Sequence, residues 1–465
     1  RNAHESEKAI ALNLAADVQI GTDPTTDSEV VNRYTDSENF LDSDWQLDAM
    51  LSRADWEGTW PTPQTAQQHT GTDRLYEEIR SEEHNNPTDF DSEEYPWFGE
   101  EPTLTLRDLL PSAEAEGYEP VVSYDDERWE ELMMGCDEEE MIALINNGAY
   151  HTLAMESVGL PATIHGDGPS GFTCFMSKEQ VNGTCQYVSE PVMASTWNIN
   201  LMNELGEAIG EEGTIGDKAT GQPYSSIYAP GVNIHRSPFG GRCSEYFSED
   251  PYLTGMMAVA EINGIQRYGV IAYPKHFAFN DQEANRNGIA IWLNEQAARE
   301  IYLRPWRYAC SPMYGNAHGV MSSFNRVGNL WTSGSNALVN GILRGEFGFN
   351  GMIVTDMADA NGTVYMSCVD GIMAGTDLWL SSGKDHSFAA YRQNATVVRA
   401  MREACKRVLY NVGNYSAVMN GYSANTQIVR VYTWWEIALL STLGALGVLT
   451  LLSVGMLAKA YRKKK

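Results

Sequence analysis

Past residue 126 the chain alternates between two hydrophobic rhythms. Short apolar runs at 162–165, 228–234, 270–273, 319–323, 352–355 and 371–380 read as buried strands. Between them lie amphipathic stretches at helical spacing, 202–209, 254–268, 297–313 and 338–347. Ahead of the first strand, Trp129, Leu132, Met133, Met141, Leu144 and Ile145 also fall at helical spacing, so an ordered domain is expected to begin at about 126. Repeated βα units of this size predict parallel strands, and across 126–385 they suit an α/β fold closed as a (β/α)8 TIM-like barrel better than an open sheet. No GxGxxG leads from a strand into a helix, which removes the main support for a dinucleotide fold.

The flanks have other textures. Residues 1–125 are acidic and weakly periodic, with runs such as Asp89-Phe90-Asp91-Ser92-Glu93-Glu94 and a cluster Trp56-Glu57-Gly58-Thr59-Trp60-Pro61, so they are expected to wrap over a neighbour as an extended segment. Residues 386–433 read as a connector containing a helix at 397–412. The stretch 437–458 then holds 22 residues without a charge. At 1.5 Å per residue that is enough to cross a hydrocarbon core of about 30 Å. Trp434 and Trp435 lead in and Arg462-Lys463-Lys464-Lys465 lead out, the aromatic and basic flanks a membrane span favours. A single transmembrane helix over 434–465 is therefore expected, with the basic end in the cytoplasm and the barrel outside the cell. The alternative is a buried core helix.

Charge narrows the partners. A formal net charge of −30 argues against nucleic acid, whose phosphates require clustered Lys and Arg. The seven cysteines show no CxxC or metal-ligand spacing, so neither a zinc site nor any other metal or cofactor is implied. Cys174 and Cys185 flank one short insertion and are the two placed for pairing. The chain opens Arg-Asn-Ala without a signal peptide, which reads as a fragment or a processed product.

Each predicted strand ends in polar groups: Asp167 within Gly-Asp-Gly-Pro-Ser-Gly, Arg236 and Arg242 after Asn233, Lys275 and His276, Ser323 and Asn325, and Asp356 closing Met352-Ile353-Val354-Thr355. Charged and amide groups directly after apolar strands imply a lined pocket at the carboxyl face of the sheet. Singly, Asp356 reads equally well as a cap for the next helix, and Lys275-His276 as a structural pair. No Gly-x-Ser-x-Gly elbow is present, so acyl transfer has little support. A carboxylate able to form and release a glycosyl ester is the natural alternative.

The run Tyr228-Ala229-Pro230-Gly231-Val232-Asn233-Ile234-His235-Arg236, continuing through Gly241-Arg242 to Ser248-Glu249-Asp250-Pro251-Tyr252, closely resembles glycoside hydrolase family 3. Asp167-Gly168-Pro169, Lys275-His276-Phe277 and Val354-Thr355-Asp356-Met357 match in order, so the resemblance spans about 126–385 and implies that family's TIM-barrel domain. Residue by residue it implies Asp356 as the nucleophile, with Asp167, Arg242, Lys275 and His276 holding sugar hydroxyls in subsite −1. The implied activity is retaining and exo-acting, β-glucosidase-like, through a glycosyl-aspartate intermediate.

Three departures matter. The family usually places Tyr where this chain reads Ser322-Ser323-Phe324-Asn325, and Arg where it reads Phe172-Thr173. The segment after Lys275-His276 lacks the continuation of the family's N-acetylglucosaminidases. The family's general acid usually comes from an α/β sandwich domain after the barrel, and only a helix and the span follow here. Some members look circularly permuted, and the stretch from Tyr34 through Ser52-Arg53-Ala54-Asp55-Trp56 resembles their connector, which makes 1–125 the tail of an upstream sandwich plus linker. Glu283 is the nearest acid by sequence, although in the family's pattern it orders a loop. Two readings stay open: an oligosaccharide- or β-glycoside-cleaving enzyme completed by an upstream domain, or a barrel that binds carbohydrate without hydrolysing it.

Overall fold

The computed structural model describes residues 19–22, 29–31, 103–110, 122–173, 184–217, 221–419 and 432–463, apart from 292, 294, 329, 359–364 and 382–386. Two units are distinguished, Arg1–Tyr422 and Ser423–Lys465. Cys185 is exposed and free, so the expected pairing with Cys174 does not form; Cys174 itself and most of the acidic segment 1–125 lie outside the described residues. What is described of that segment includes β1 (Gln19–Thr22) paired antiparallel with β2 (Glu29–Val31).

In the first unit, β3 (His151–Thr152) pairs antiparallel with β4 (Thr163–Asp167), and from there the sheet is parallel. β4 pairs with β5 (Tyr224–Tyr228), and β5 with β6 (Ile271–Ala272). A Phe277–Ser322 bridge carries the order from β6 to β8 (Gly319–Met321), which pairs with β11 (Met352–Met357), and that with β12 (Leu378–Leu380). The Gly148 N–H donates to the Trp379 carbonyl at 2.7 Å, linking β12 to the chain just before β3. The arrangement is TIM-barrel-like, with no continuous ladder around the ring among the described residues. A side sheet of β7 (Ala290–Ile291), β9 (Arg326–Val327) and β10 (Leu330–Trp331) stands apart.

Buried strands have two apolar faces, and their residues divide accordingly. Tyr228, Ile271, Tyr273, Met321, Met352 and Val354 belong to one core. Their neighbours Ile227, Ala229, Ala272, Val320 and Ile353 belong to another. The first core also holds α1 (Arg128–Met134) and α2 (Glu138–Asn146) through Trp129, Leu132, Met133, Met141, Leu144 and Ile145. The second takes α4 (Ile199–Ile215) and α5 (Pro251–Gln266), which follow the short α3 (Glu190–Ala194). Asn198 and Asp250 cap α4 and α5 by accepting from backbone N–H groups in their first turns. The two helices approach so closely that a Cβ at Gly206 would meet the Glu261 carbonyl at 2.5 Å, and one at Gly264 the Asn203 carbonyl at 2.4 Å.

Several elements differ from expectation. The run 371–380 is two elements: α7 (Cys368–Ala374) ends at Gly375, whose φ is 102°, and β12 follows. The helix expected over 297–313 is divided into a π-helical stretch, Ala298–Tyr302, and α6 (Arg304–Cys310), whose first turn contains Pro305. The strand expected at 228–234 ends at Tyr228, because Pro230 has no N–H to donate. Residues 395–415, assigned by sequence to a connector, form α8 (Ala395–Tyr415), which buries Val397, Val398, Met401, Val408 and Leu409 in the first core. In the second unit, α9 (Trp434–Lys463) has 30 residues and is long and apolar enough to cross a membrane.

Candidate active site

The β5–β6 pairing does not stop where the strands are assigned. Tyr273 N–H donates to the Ile227 carbonyl at 2.9 Å, Lys275 N–H to Pro230 at 2.9 Å and Val232 N–H to Lys275 at 2.8 Å. These bonds carry rigid backbone up to the residues that bear the chemistry, across the cis peptides Ala229–Pro230, Lys275–His276 and Phe277–Ala278. One layer below, the interior is filled by aromatic rings. Tyr228 meets Tyr273 edge-on at 5.5 Å, and its hydroxyl lies 3.0 Å from His165 Nδ1. Burial, and secondarily His151, holds His165 down to about 3, so it stays neutral.

Above this layer the structure brings all five sequence-selected residues into one cluster. Asp356 closes β11 and is 7% exposed. Its Oδ1 accepts from Met357 N–H at 2.8 Å, whereas its buried Oδ2 has no hydrogen-bond partner. Burial pushes the Asp356 carboxyl above its ordinary range, opposed by the Met357 N–H and by Arg242, Arg286 and Lys275. The charges around it therefore limit the cost of keeping it ionised.

Lys275 Nζ donates to Asp167 Oδ1 at 2.9 Å and to the Gly168 carbonyl at 3.3 Å. Burial works against the ammonium, but Asp167 and Glu245 outweigh it, and the lysine sits above its usual value. His276 is held at its backbone by Asn233, which accepts from His276 N–H at 2.7 Å and donates to the His276 carbonyl at 3.0 Å. Its Nδ1 lies 3.2 Å from the Tyr246 hydroxyl and its Nε2 3.8 Å from Asp356 Oδ2. Burial, with Arg242, Lys275 and Arg286 adding to it, drives His276 well below the usual histidine range. A neutral imidazole at that distance makes neither an ion pair nor a hydrogen bond with Asp356.

Arg242 pairs with Glu245, and its Nη1 lies 3.6 Å from Glu283 Oε1. Burial opposes its charge, and Tyr246, Glu245, Glu283 and Asp356 more than compensate. Glu283 sews two loops together: its N–H donates to the Gly240 carbonyl at 2.9 Å, Asn280 donates to Oε1 at 3.2 Å, and Arg286 lies 3.0 Å from Oε2. With both oxygens engaged, it presents no free proton to a leaving group.

Both departures have a structural counterpart. Phe172 is buried and stacked on Tyr224 at 4.5 Å, and only a glycine at 166 leaves it space, since a Cβ there would lie 2.2 Å from its ring. Thr173 contributes its N–H, which donates to the Asp167 carbonyl at 2.8 Å. Phe324 is buried, with the Arg286 guanidinium 4.7 Å above its ring. Sequence reasoning missed Arg286, Tyr246 and the clamping role of Asn233; the first two sit in loops without periodicity, and Asn233 was noted only as a marker before Arg236. Among the described residues no group of three or more His, Cys, Asp or Glu side chains is arranged to hold a metal.

The chain is similar in sequence and in fold to known glycosidases. It is 34% identical over 277 residues to a β-glucosidase of Ruminococcus albus, covering 55% of this chain and 27% of that protein. It is 35% identical over 227 residues to an exo-α-(1→6)-L-arabinopyranosidase of Bifidobacterium longum, covering 47% and 29%. The chain thus spans under a third of the length of these relatives. Among solved structures, β-glucosidase 3B of Thermotoga neapolitana with glycerol superposes at a TM-score of 0.52 with 30% identity, over 62% of this chain and 43% of that one. A β-glucosidase of Kluyveromyces marxianus in complex with glucose gives 0.54 with 28% identity, over 61% and 34%. The glycosyl hydrolase family 3 N-terminal domain matches residues 135–412, well over half of the sequence, and the chain belongs to that family.

Proposed function

We propose that this chain is the nucleophilic and sugar-holding part of a retaining, exo-acting, β-glucosidase-like glycosidase. The single observation that carries this reading is Asp356 itself: one oxygen anchored by a backbone N–H, the other buried and unpartnered. An unpartnered carboxylate oxygen is costly in a fold and useful in an attack. In this reading Oδ2 attacks the anomeric carbon, the bond to the leaving oxygen breaks as that oxygen takes up a proton, and water later cleaves the glycosyl ester. Asp167, Lys275, Arg242 and His276 hold the sugar's hydroxyls, the first two as a charge-assisted pair. Incubation with a 2-fluoro glycoside, followed by peptide mapping, tests the assignment; label on any other carboxylate overturns it.

A retaining site needs a carboxylic acid about 5–5.5 Å from the nucleophile. Glu283 is engaged elsewhere, so we assign the acid to a sandwich domain as partner, the arrangement the resemblance implies. The chain by itself should then form the ester from dinitrophenyl glycosides and scarcely react with cellobiose, because acid assistance is typically worth about 10²–10⁴-fold. Similar kcat/KM for both substrates would place an acid within these residues. The helix α9 is proposed to anchor the protein in the cell membrane with Arg462–Lys463 cytoplasmic and the barrel extracellular. Protease added to intact cells should remove the barrel, and full protection would reverse the orientation.

The second reading, a carbohydrate-binding barrel without hydrolysis, is favoured by the general acid: Glu283, the nearest candidate, has both oxygens engaged. Sugar binding without any reaction of the dinitrophenyl glycoside would select it.

A further inference from the structure

The departure at position 324 leaves a question about the nucleophile's surroundings. The Phe324 ring has no hydroxyl to offer Asp356, yet both its carbonyl and its ring are held. Its carbonyl accepts from the Tyr365 hydroxyl at 2.7 Å and from Gly288 N–H at 3.2 Å. Its ring lies under the Arg286 guanidinium at 4.7 Å, a cation–π distance. Tyr365 is itself fixed, because Arg326 stacks over its ring at 4.3 Å while donating to the Gly288 carbonyl at 3.0 Å.

We propose that Tyr365 is a positioning residue for the nucleophile: its hydroxyl pins Phe324, the Phe324 ring seats Arg286, and the seated guanidinium supplies positive charge near Asp356 where position 324 offers no hydroxyl. The inference rests on the glycosidase reading. Tyr365 follows Asp356 by nine residues yet bonds to the turn after β8, so it ties together two elements that border Asp356. Arg286 is one of the cations that favour the ionised form of Asp356. The other charged or titratable groups bearing on Asp356 are Lys275 and His276 from the end of β6, Arg242 from the loop after β5, and the Tyr365 phenol. Burial raises that phenol's own ionisation far above neutrality, so Tyr365 acts here as a hydrogen-bond donor and not as a charge.

The sign follows. Arg286 lowers an Asp356 pKa that burial has raised, so loosening its seat raises that pKa further and less nucleophile is ionised at a given pH. The experiment is the pH profile of glycosyl-ester formation from a dinitrophenyl glycoside, measured on the full chain as the burst of phenolate. Tyr365→Phe keeps the ring against Gly288 and Arg326 and should move the acid limb upward by about half a pH unit or more, while the rate above that limb changes little. Arg286→Gln should move it further in the same direction. In the Arg286→Gln background, Tyr365→Phe should add no further shift, because its effect passes through that guanidinium. A Tyr365→Phe limb coincident with that of the unaltered chain overturns the proposal, as does a shift that adds fully to that of Arg286→Gln. Failure of the unaltered chain to release phenolate at any pH instead overturns the glycosidase reading, and this inference with it.

Discussion

Two aspartates lie buried on neighbouring strands, Asp356 at the end of β11 and Asp377 just before the start of β12, and their surroundings are opposite. Asp377 Oδ2 accepts from Arg344 at 2.8 Å and from Ile353 N–H at 2.7 Å, while Oδ1 accepts from Arg407 at 2.8 Å. Both oxygens are engaged, and the group ties α8 to the sheet. Asp356 has one backbone donor and an empty second oxygen, although cations surround it at a distance. The first arrangement spends its charges on each other and holds helices. The second keeps a charge available at the face where barrel loops converge. Burial alone therefore does not distinguish these two carboxylates; their donors and their place relative to the carboxyl ends of the strands do.

That contrast can be broken experimentally. Asp356→Asn should reduce ester formation from a dinitrophenyl glycoside by several orders of magnitude. The same change should leave the fold as stable or make it more so. Asp356 has a raised folded-state pKa, so the stability it contributes is full below its unfolded pKa and is lost as pH rises through the folded one. The asparagine variant escapes that loss, and its melting temperature should exceed that of the parent on the alkaline side. Coincident melting curves at all pH values would show that the carboxylate is not strained by burial.

Asp377→Ala should do the reverse. It takes from two buried guanidinium groups the carboxylate they share, which costs about 3–5 kcal/mol in urea unfolding, while the ester-forming rate per folded molecule stays near that of the parent. A comparable loss comes from Trp129→Ala, since emptying a fully buried indole costs about 3–5 kcal/mol, and it too should spare the chemistry. The gentlest test uses a carboxyl outside both clusters. Glu261, on α5, has neither oxygen hydrogen-bonded and is pushed by burial up to about 8. Its contribution to stability should be full below the unfolded value of 4.5 and be lost as pH rises from there through about 8, and Glu261→Gln should flatten that decline. An unchanged slope would mean that Glu261 is already ionised at neutral pH.

The parts of this picture that were readable in the sequence share a physical cause. Strands ending in Asp167, Lys275 and Asp356 stood out because apolar runs buried on both faces stop abruptly at a charge. The helices with Trp129 and Met141 stood out because only one of their faces is buried. Where burial is uniform, periodicity fails: Val369, Asp370, Gly371 and Ile372 are all buried, and α7 was taken for strand. The helix α8 was recognised as helical and placed outside the domain, because nothing in its own pattern says which core receives it. Arg286, Tyr246 and Tyr365 belong to loops and make contacts with residues dozens of positions away, which no local pattern encodes.

The aromatic layer of His165, Tyr228 and Tyr273 beneath the site bears on traffic. In the proposed reaction a sugar held against Asp356 has this packed layer on one side, so the aglycone lies toward the carboxyl face of the strands and must leave before water can take its place. Three side chains that take no part in the chemistry would then set the order of release.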